Sequence, residues 1–156
     1  MKAEPRLLAE MYHAIMVSLV RDGRAPHYTD LGRQLGLRME EARQTLHQLM
    51  GMGLPTWLAP HTDYIASFAP FSSIPTQYHV SVDGRQHWYA QCGFECLAIS
   101  WLFPGRDISV ECPCLDCGEP INVRMRGGSV LAVTPPTVVG HVGLPAWRWR
   151  ENWAHT

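Results

Sequence analysis

Hydrophobic positions divide the chain into a helical first part and a strand-rich second part. Leu8, Met11, Ile15 and Leu19 recur at helical spacing behind Pro5, and Gly23 follows as a stop. Thr29 is placed to cap a short second helix through Leu35, ended by Gly36. A third helix is predicted from about Met39, with Met39, Ala42, Leu46 and Leu49 on one face. Glu40 and Glu41 suit its first turn, and Gly51 and Gly53 close it. Three short helices in this order predict a helix-turn-helix or winged-helix-like module over residues 1–60.

The stretch 54–75 is rich in Pro, Ser and Thr and reads as a linker or long loop, with a short strand at Asp63 to Phe68. Beyond it the period changes to two. Tyr78, Val80 and Val82 alternate, Asp83-Gly84 supplies a two-residue turn, and Gln86 to Ala90 returns, so a hairpin is expected. A helix starts near Cys92 and carries Leu97, Ile99, Trp101, Leu102 and Phe103 before Pro104-Gly105. Ile108 and Val110 mark a strand leading into a cysteine-rich turn, and strands 121–125 and 129–133 flank Arg126-Gly127-Gly128. The tail with Trp147, Trp149 and Trp153 is expected to pack rather than stand in water. The fold class is therefore α+β: the helical module, then a small mixed or antiparallel sheet domain over residues 61–156.

Composition narrows the function. With 46% hydrophobic and 17% charged residues, the 156-residue chain has enough apolar surface for a core. Its net charge of −1 gives no electrostatic footprint for a general nucleic-acid or acidic-membrane binder. The third helix offers Arg38, Arg43, Gln44 and Gln48 to base edges but opens with two glutamates, which argues against DNA reading. The apolar run Ala14 to Val20 is too short for a membrane span and lacks a signal-peptide cleavage site. A cytoplasmic location is expected. All five cysteines lie between Cys92 and Cys117, a cluster that points to reduced thiols used for metal or chemistry.

Two thiol groups carry the chemistry. Cys92 opens a helix after a strand, and Glu95 and Cys96 lie three and four residues on, on the same face. This arrangement fits a thiolate beside a proton-carrying carboxyl group. It also fits a packed cysteine beside a glutamate that favours a helix start. Cys112, Cys114 and Cys117 form the second group, with Cys114-Leu-Asp-Cys117-Gly118 matching half of a zinc knuckle. Structural zinc would need Cys92, Cys96 or His141 to complete four ligands, so a turn of packed thiols is expected instead, with Cys114 buried under the sheet.

The stretch W-Y-A-Q-C-G-F-E-C-L-A-I-S-W-L-F-P-G from Trp88, followed by V-E-C-P-C-L-D-C-G-E-P ending at Pro120, resembles the core of organomercurial (alkylmercury) lyases. That family has Trp or Tyr, then Ala-x-Cys-x-x-Asp opening a helix, then a strand and a Cys-x-x-x-Gly-x-Pro turn. The resemblance implies that Cys92 is the first catalytic cysteine and Glu95 the catalytic acid, here one methylene longer than the family's Asp. It implies that Cys114 is the largely structural cysteine, with Cys117 beside it. It further implies protonolysis of a carbon–mercury bond to a hydrocarbon and Hg(II), with an organomercurial small molecule as substrate and no resident cofactor. A mercury-handling thiol protein is the expected partner, with neither nucleic acid nor membrane. Cys92 and Cys96 are the expected mercury ligands, with Cys117 as a second candidate for the second thiolate. Cys92 is expected to be the most reactive thiol. The competing readings are a non-catalytic soft-metal thiol module and a winged-helix metal-responsive DNA-binding protein. The family's second catalytic cysteine and closing strand and helix fall past Thr156, so the chain is expected to be C-terminally incomplete. A UGA codon specifying selenocysteine at that point would account for it, and the codon after Thr156 decides the matter.

Overall fold

A computed structural model describes residues 3–151, which divide into two compact units, Met1–Phe68 and Ala69–Thr156. Trp153, expected to pack with the tail, lies outside the described residues. The first unit holds α1 (Pro5–Asp22), α2 (Tyr28–Leu35) and α3 (Met39–Met50), then the antiparallel pair β1 (Thr56–Leu58) and β2 (Ile65–Phe68). Met11, Ile15, Leu19, Leu31, Leu46 and Leu49 fill its interior. Gly23 caps α1 in the left-handed region, its N–H reaching Leu19 O at 2.9 Å, as Gly does where a Cβ would be strained.

Three local expectations for this unit need correction. His27 rather than Thr29 caps α2, its ring nitrogen accepting from Thr29 N–H. Met39 is exposed, because it sits at the first position of α3, before the turn that faces the interior. The segment read as a linker or loop around one short strand holds that strand as β2, but pairs it with the unexpected β1, and a further unexpected strand, β3 (Phe71–Ser72), follows in the second unit. Here the backbone is satisfied by strand pairing, a pattern that short apolar runs between prolines do not display. Asp63 joins the loop between β1 and β2 to α3, accepting from Arg43 Nε at 2.9 Å and pairing with His47 Nε2 at 2.6 Å.

The second unit is built on antiparallel strands in the order β3-β5-β4-β6-β7-β8, with β4 (His79–Val82), β5 (Arg85–Ala90), β6 (Asp107–Pro113), β7 (Pro120–Arg126) and β8 (Ser129–Thr134). Asp83 at φ 48° makes the tight β4–β5 turn, the geometry a right-twisted hairpin needs. Val80, Val82, Trp88, Ala90, Ile108 and Val110 are buried, a period-two pattern that gives the strands an apolar face. Against it lies α4 (Gly93–Ile99), which continues into a 3₁₀ turn at Ser100–Leu102. Ile99 is fully buried, contributing about 1.5–3 kcal/mol, and Phe103 packs edge-on against Trp88 and Phe71 with ring centroids at 5.0 and 6.4 Å. The helix is shorter than expected. The switch to 3₁₀ at Ser100 turns Trp101 outward, leaving it 70% exposed. Trp147 is also exposed, contrary to the expectation of a packed tail, while Trp149 donates to Leu144 O at 2.9 Å.

The exposed indole of Trp101 has one close neighbour of consequence. A Cβ on Gly128, in the β7–β8 turn at φ 83°, would lie 2.1 Å from its Nε1, and Gly128 N–H donates to Ser100 Oγ at 3.2 Å. The β7–β8 turn is thereby fastened to the end of α4. Gly127 has φ 55° but open space around it. Gly127→Ala is expected to cost about 1–2 kcal/mol from the left-handed backbone alone. Gly128→Ala should cost more, by about a further 1–2 kcal/mol, because the indole must also move. Urea titration of both variants checks this. Equal losses would mean the contact with Trp101 has no weight.

Candidate active site

Cys92 stands at the junction of β5 and α4, extended at φ −151° and ψ 176° and half-buried. Its carbonyl accepts from Cys96 N–H at 3.1 Å and from Cys96 Sγ at 3.3 Å, so the two cysteines lie one helical turn apart as their spacing predicts. Glu95, in the same first turn, is half-buried, and burial pushes its carboxyl above the ordinary value of 4.5. Loss of water disfavours the carboxylate and favours the neutral acid. Cys96 is buried, and burial pushes its thiol well up, with Cys112, Cys92 and Glu95 adding to the effect as neighbouring negative charges.

Two site residues are not singled out by spacing alone. Cys112 sits on β6 in the same alternation as Ile108 and Val110, which aims it at the face where α4 lies. It is half-buried, burial raises its thiol, and it is close enough to affect Cys96 electrostatically. Tyr78 is buried just before β4, and a Cβ on Gly93 would lie 3.6 Å from its hydroxyl. Burial raises its phenol, and the thiols of Cys96, Cys112 and Cys92 add to that rise. The period-two pattern that marks Val110 as buried could have identified Cys112. Beside Cys92, the Gln91 side-chain carbonyl is buried and has no hydrogen-bond partner among the described residues.

The remaining thiols behave differently from expectation. Cys114 is half-buried rather than covered by the sheet, because the turn carrying it projects beyond the last β6–β7 pair, Pro113 and Pro120. Backbone N–H groups of Cys117 and Asp116, then the Cys117 side chain, pull the Cys114 thiol down. That places Cys114 in competition with Cys92 for limiting electrophile. Cys117 is exposed. Among the described residues no group of three or more His, Cys, Asp or Glu side chains has a metal-holding arrangement. No helix among them is long and apolar enough to cross a membrane.

The chain is thus a mixed α+β protein with thiols clustered around a short helix that carries a partly desolvated carboxyl group. The alkylmercury lyase family profile matches residues 71–156, more than half of the chain, and the chain belongs to that family. The alkylmercury lyases of Bacillus cereus and Clostridium butyricum are each 27% identical to it over 130 residues, covering 83% of this chain and 56% of theirs. The chain therefore spans a little over half the length of these relatives. The crystal structure of the mercury-bound form of MerB2 shares the fold, with a TM-score of 0.63 at 23% identity over 85% of this chain and 65% of that one.

Glu95 also sets a pH dependence of stability. Its folded pKa is raised, so the folded state holds a proton that the unfolded chain releases above about 4.5. Stability from this group is present below the unfolded pKa and is lost as pH rises through the folded one. Glu95→Gln removes the ionisation. The variant should gain stability relative to the parent as pH rises from 4 to 8, measured by urea unfolding. A difference that does not change with pH would show the carboxyl to be unperturbed.

Proposed function

We propose that this chain carries out protonolysis of carbon–mercury bonds on organomercurial small molecules, with Cys92 as the attacking thiolate and Glu95 as the proton donor. The observation that carries this reading is the position of Glu95: a half-buried carboxyl group whose pKa burial raises, in the turn opened by Cys92. The family supports the substrate class.

In the first step the Cys92 sulfur forms a bond to mercury and displaces X⁻ from R–Hg–X. Mercury is soft and prefers thiolate to oxygen or nitrogen ligands. A second thiol then gives its proton to water and adds as the thiolate, weakening the carbon–mercury bond. Cys96 was the expected second ligand, but its sulfur is buried and directed to Cys92 O. Cys112 is the better candidate, half-buried and facing the same helix. The electron pair of the Hg–C bond becomes a C–H bond to the Glu95 proton, releasing R–H. Mercury remains Hg(II) on two thiolates, and the Glu95 carboxylate regains its proton from water. No resident cofactor takes part, and a small thiol or thiol protein takes the product.

Neither alternative is favoured by the family match. For DNA reading, the four side chains it needs are engaged within their own unit: Arg38 with Glu41, Arg43 with Asp63, Gln44 with Glu40, and Gln48 with Ala3 N–H. We read the three helices and the β1–β2 pair as a winged-helix-like packing module in a cytoplasmic protein.

Hydrocarbon release from phenylmercury tests the reading. Glu95→Gln should slow benzene formation by about 10²–10⁴-fold, the usual worth of a positioned proton donor, while leaving mercury binding nearly unchanged. Unchanged turnover in that variant would remove Glu95 from the proton path.

A further inference from the structure

The turn between β6 and β7 carries two thiols that protonolysis does not use. Cys114 and Cys117 sit in a C-x-x-C turn closed by Cys114 N–H to Glu119 O at 2.8 Å and Gly118 N–H to Cys114 O at 3.0 Å. The Cys117 side chain and two backbone N–H groups converge on the Cys114 sulfur. Both thiols are accessible, Cys117 more so. Tetrahedral zinc needs four ligands, and among the described residues no group of three or more His, Cys, Asp or Glu is arranged to hold a metal ion. Two thiolates, by contrast, are what linear Hg(II) requires. Cys112 connects the two regions, since it interacts electrostatically with Cys96 on one side and Cys114 on the other. A cavity of ≈ 520 Å³ runs beside Cys112, Pro113, Gly118 and Pro120, alongside the turn.

We propose that Cys114 and Cys117 form a second, solvent-facing dithiol site that accepts Hg(II) from Cys92 and Cys112 by thiol exchange. The source of the metal rests on the protonolysis reading; binding by the pair does not. The Cys114 thiolate forms an Hg–S bond as the bond to Cys112 breaks, and Cys117 then replaces Cys92. The proton of the incoming Cys117 thiol passes to the released Cys92 thiolate, and the released Cys112 thiolate takes its proton from water. No electron is transferred, and mercury stays Hg(II).

The test uses the full chain and mercuric chloride in the presence of excess free cysteine, with alkylation of each thiol read by mass spectrometry. Hg(II) should protect Cys114 and Cys117, and a Cys92→Ser/Cys112→Ser variant should keep that protection. Cys114→Ser/Cys117→Ser should lower Hg(II) retention against cysteine by about 100-fold, the loss expected when a linked second ligand is removed. Equal alkylation of Cys114 and Cys117 with and without Hg(II) in the parent chain would overturn the proposal, as would unchanged retention in the double variant. Benzene release from phenylmercury is measured in parallel. Protection of the pair without benzene release would defeat the protonolysis reading and leave the dithiol standing.

Discussion

Removal of water from the first turn of α4 is the constraint on which the site depends. Cys92, Glu95, Cys96, Cys112 and Tyr78 are all groups that become negative on losing a proton, and they share one partly or fully buried region. Ionising several of them together would place like charges side by side in a medium that screens them poorly. Most must therefore stay neutral, and burial is the largest cause of the raised values at Glu95, Cys96, Cys112 and Tyr78. A soft dication relieves the conflict, because it replaces thiol protons with metal–sulfur bonds and adds no negative charge beside Glu95 and Tyr78. In the proposed reaction, thiol-to-metal exchange and proton delivery to carbon both draw on this burial.

The fold produces that burial by simple means. The chain passes from β5 directly into α4, so Cys92 is held by a strand on one side and a helix on the other. Ile99 and Phe103 anchor the far end of the helix on the sheet, and the β7–β8 turn fastens to it through Gly128 and Ser100. Tyr78 and Cys112 reach the near end from β4 and β6, which pair with each other in the same sheet. A helix of seven residues has little stability of its own. Its position is a consequence of tertiary packing, and the acidity of Glu95 inherits that dependence.

Much of this was legible in the sequence because local rules apply locally. Glycine and proline punctuation marked the three helices, Asp83-Gly84 marked the hairpin, and the residues around Cys92 and Cys114 carried the family resemblance. Less visible were features decided by distant neighbours. Cys112 and Tyr78 are 20 and 14 residues from Cys92 in opposite directions along the chain. Only strand pairing brings them to α4. Cys114 was expected to be covered, but its turn extends past the last paired residues of β6 and β7. The strands at 56–58 and 71–72 are too short for alternation to register, and Met39 obeyed the helical period yet fell at a helix end.

Burial raises the pKa of the Glu95 carboxyl beside the thiols, and on this the proposed proton delivery depends. Titration of the Glu95 carboxyl carbon by ¹³C NMR, assigned by loss of its signal in Glu95→Gln, measures this directly. The account predicts a midpoint above the ordinary value of 4.5. A midpoint at or below that value would contradict it.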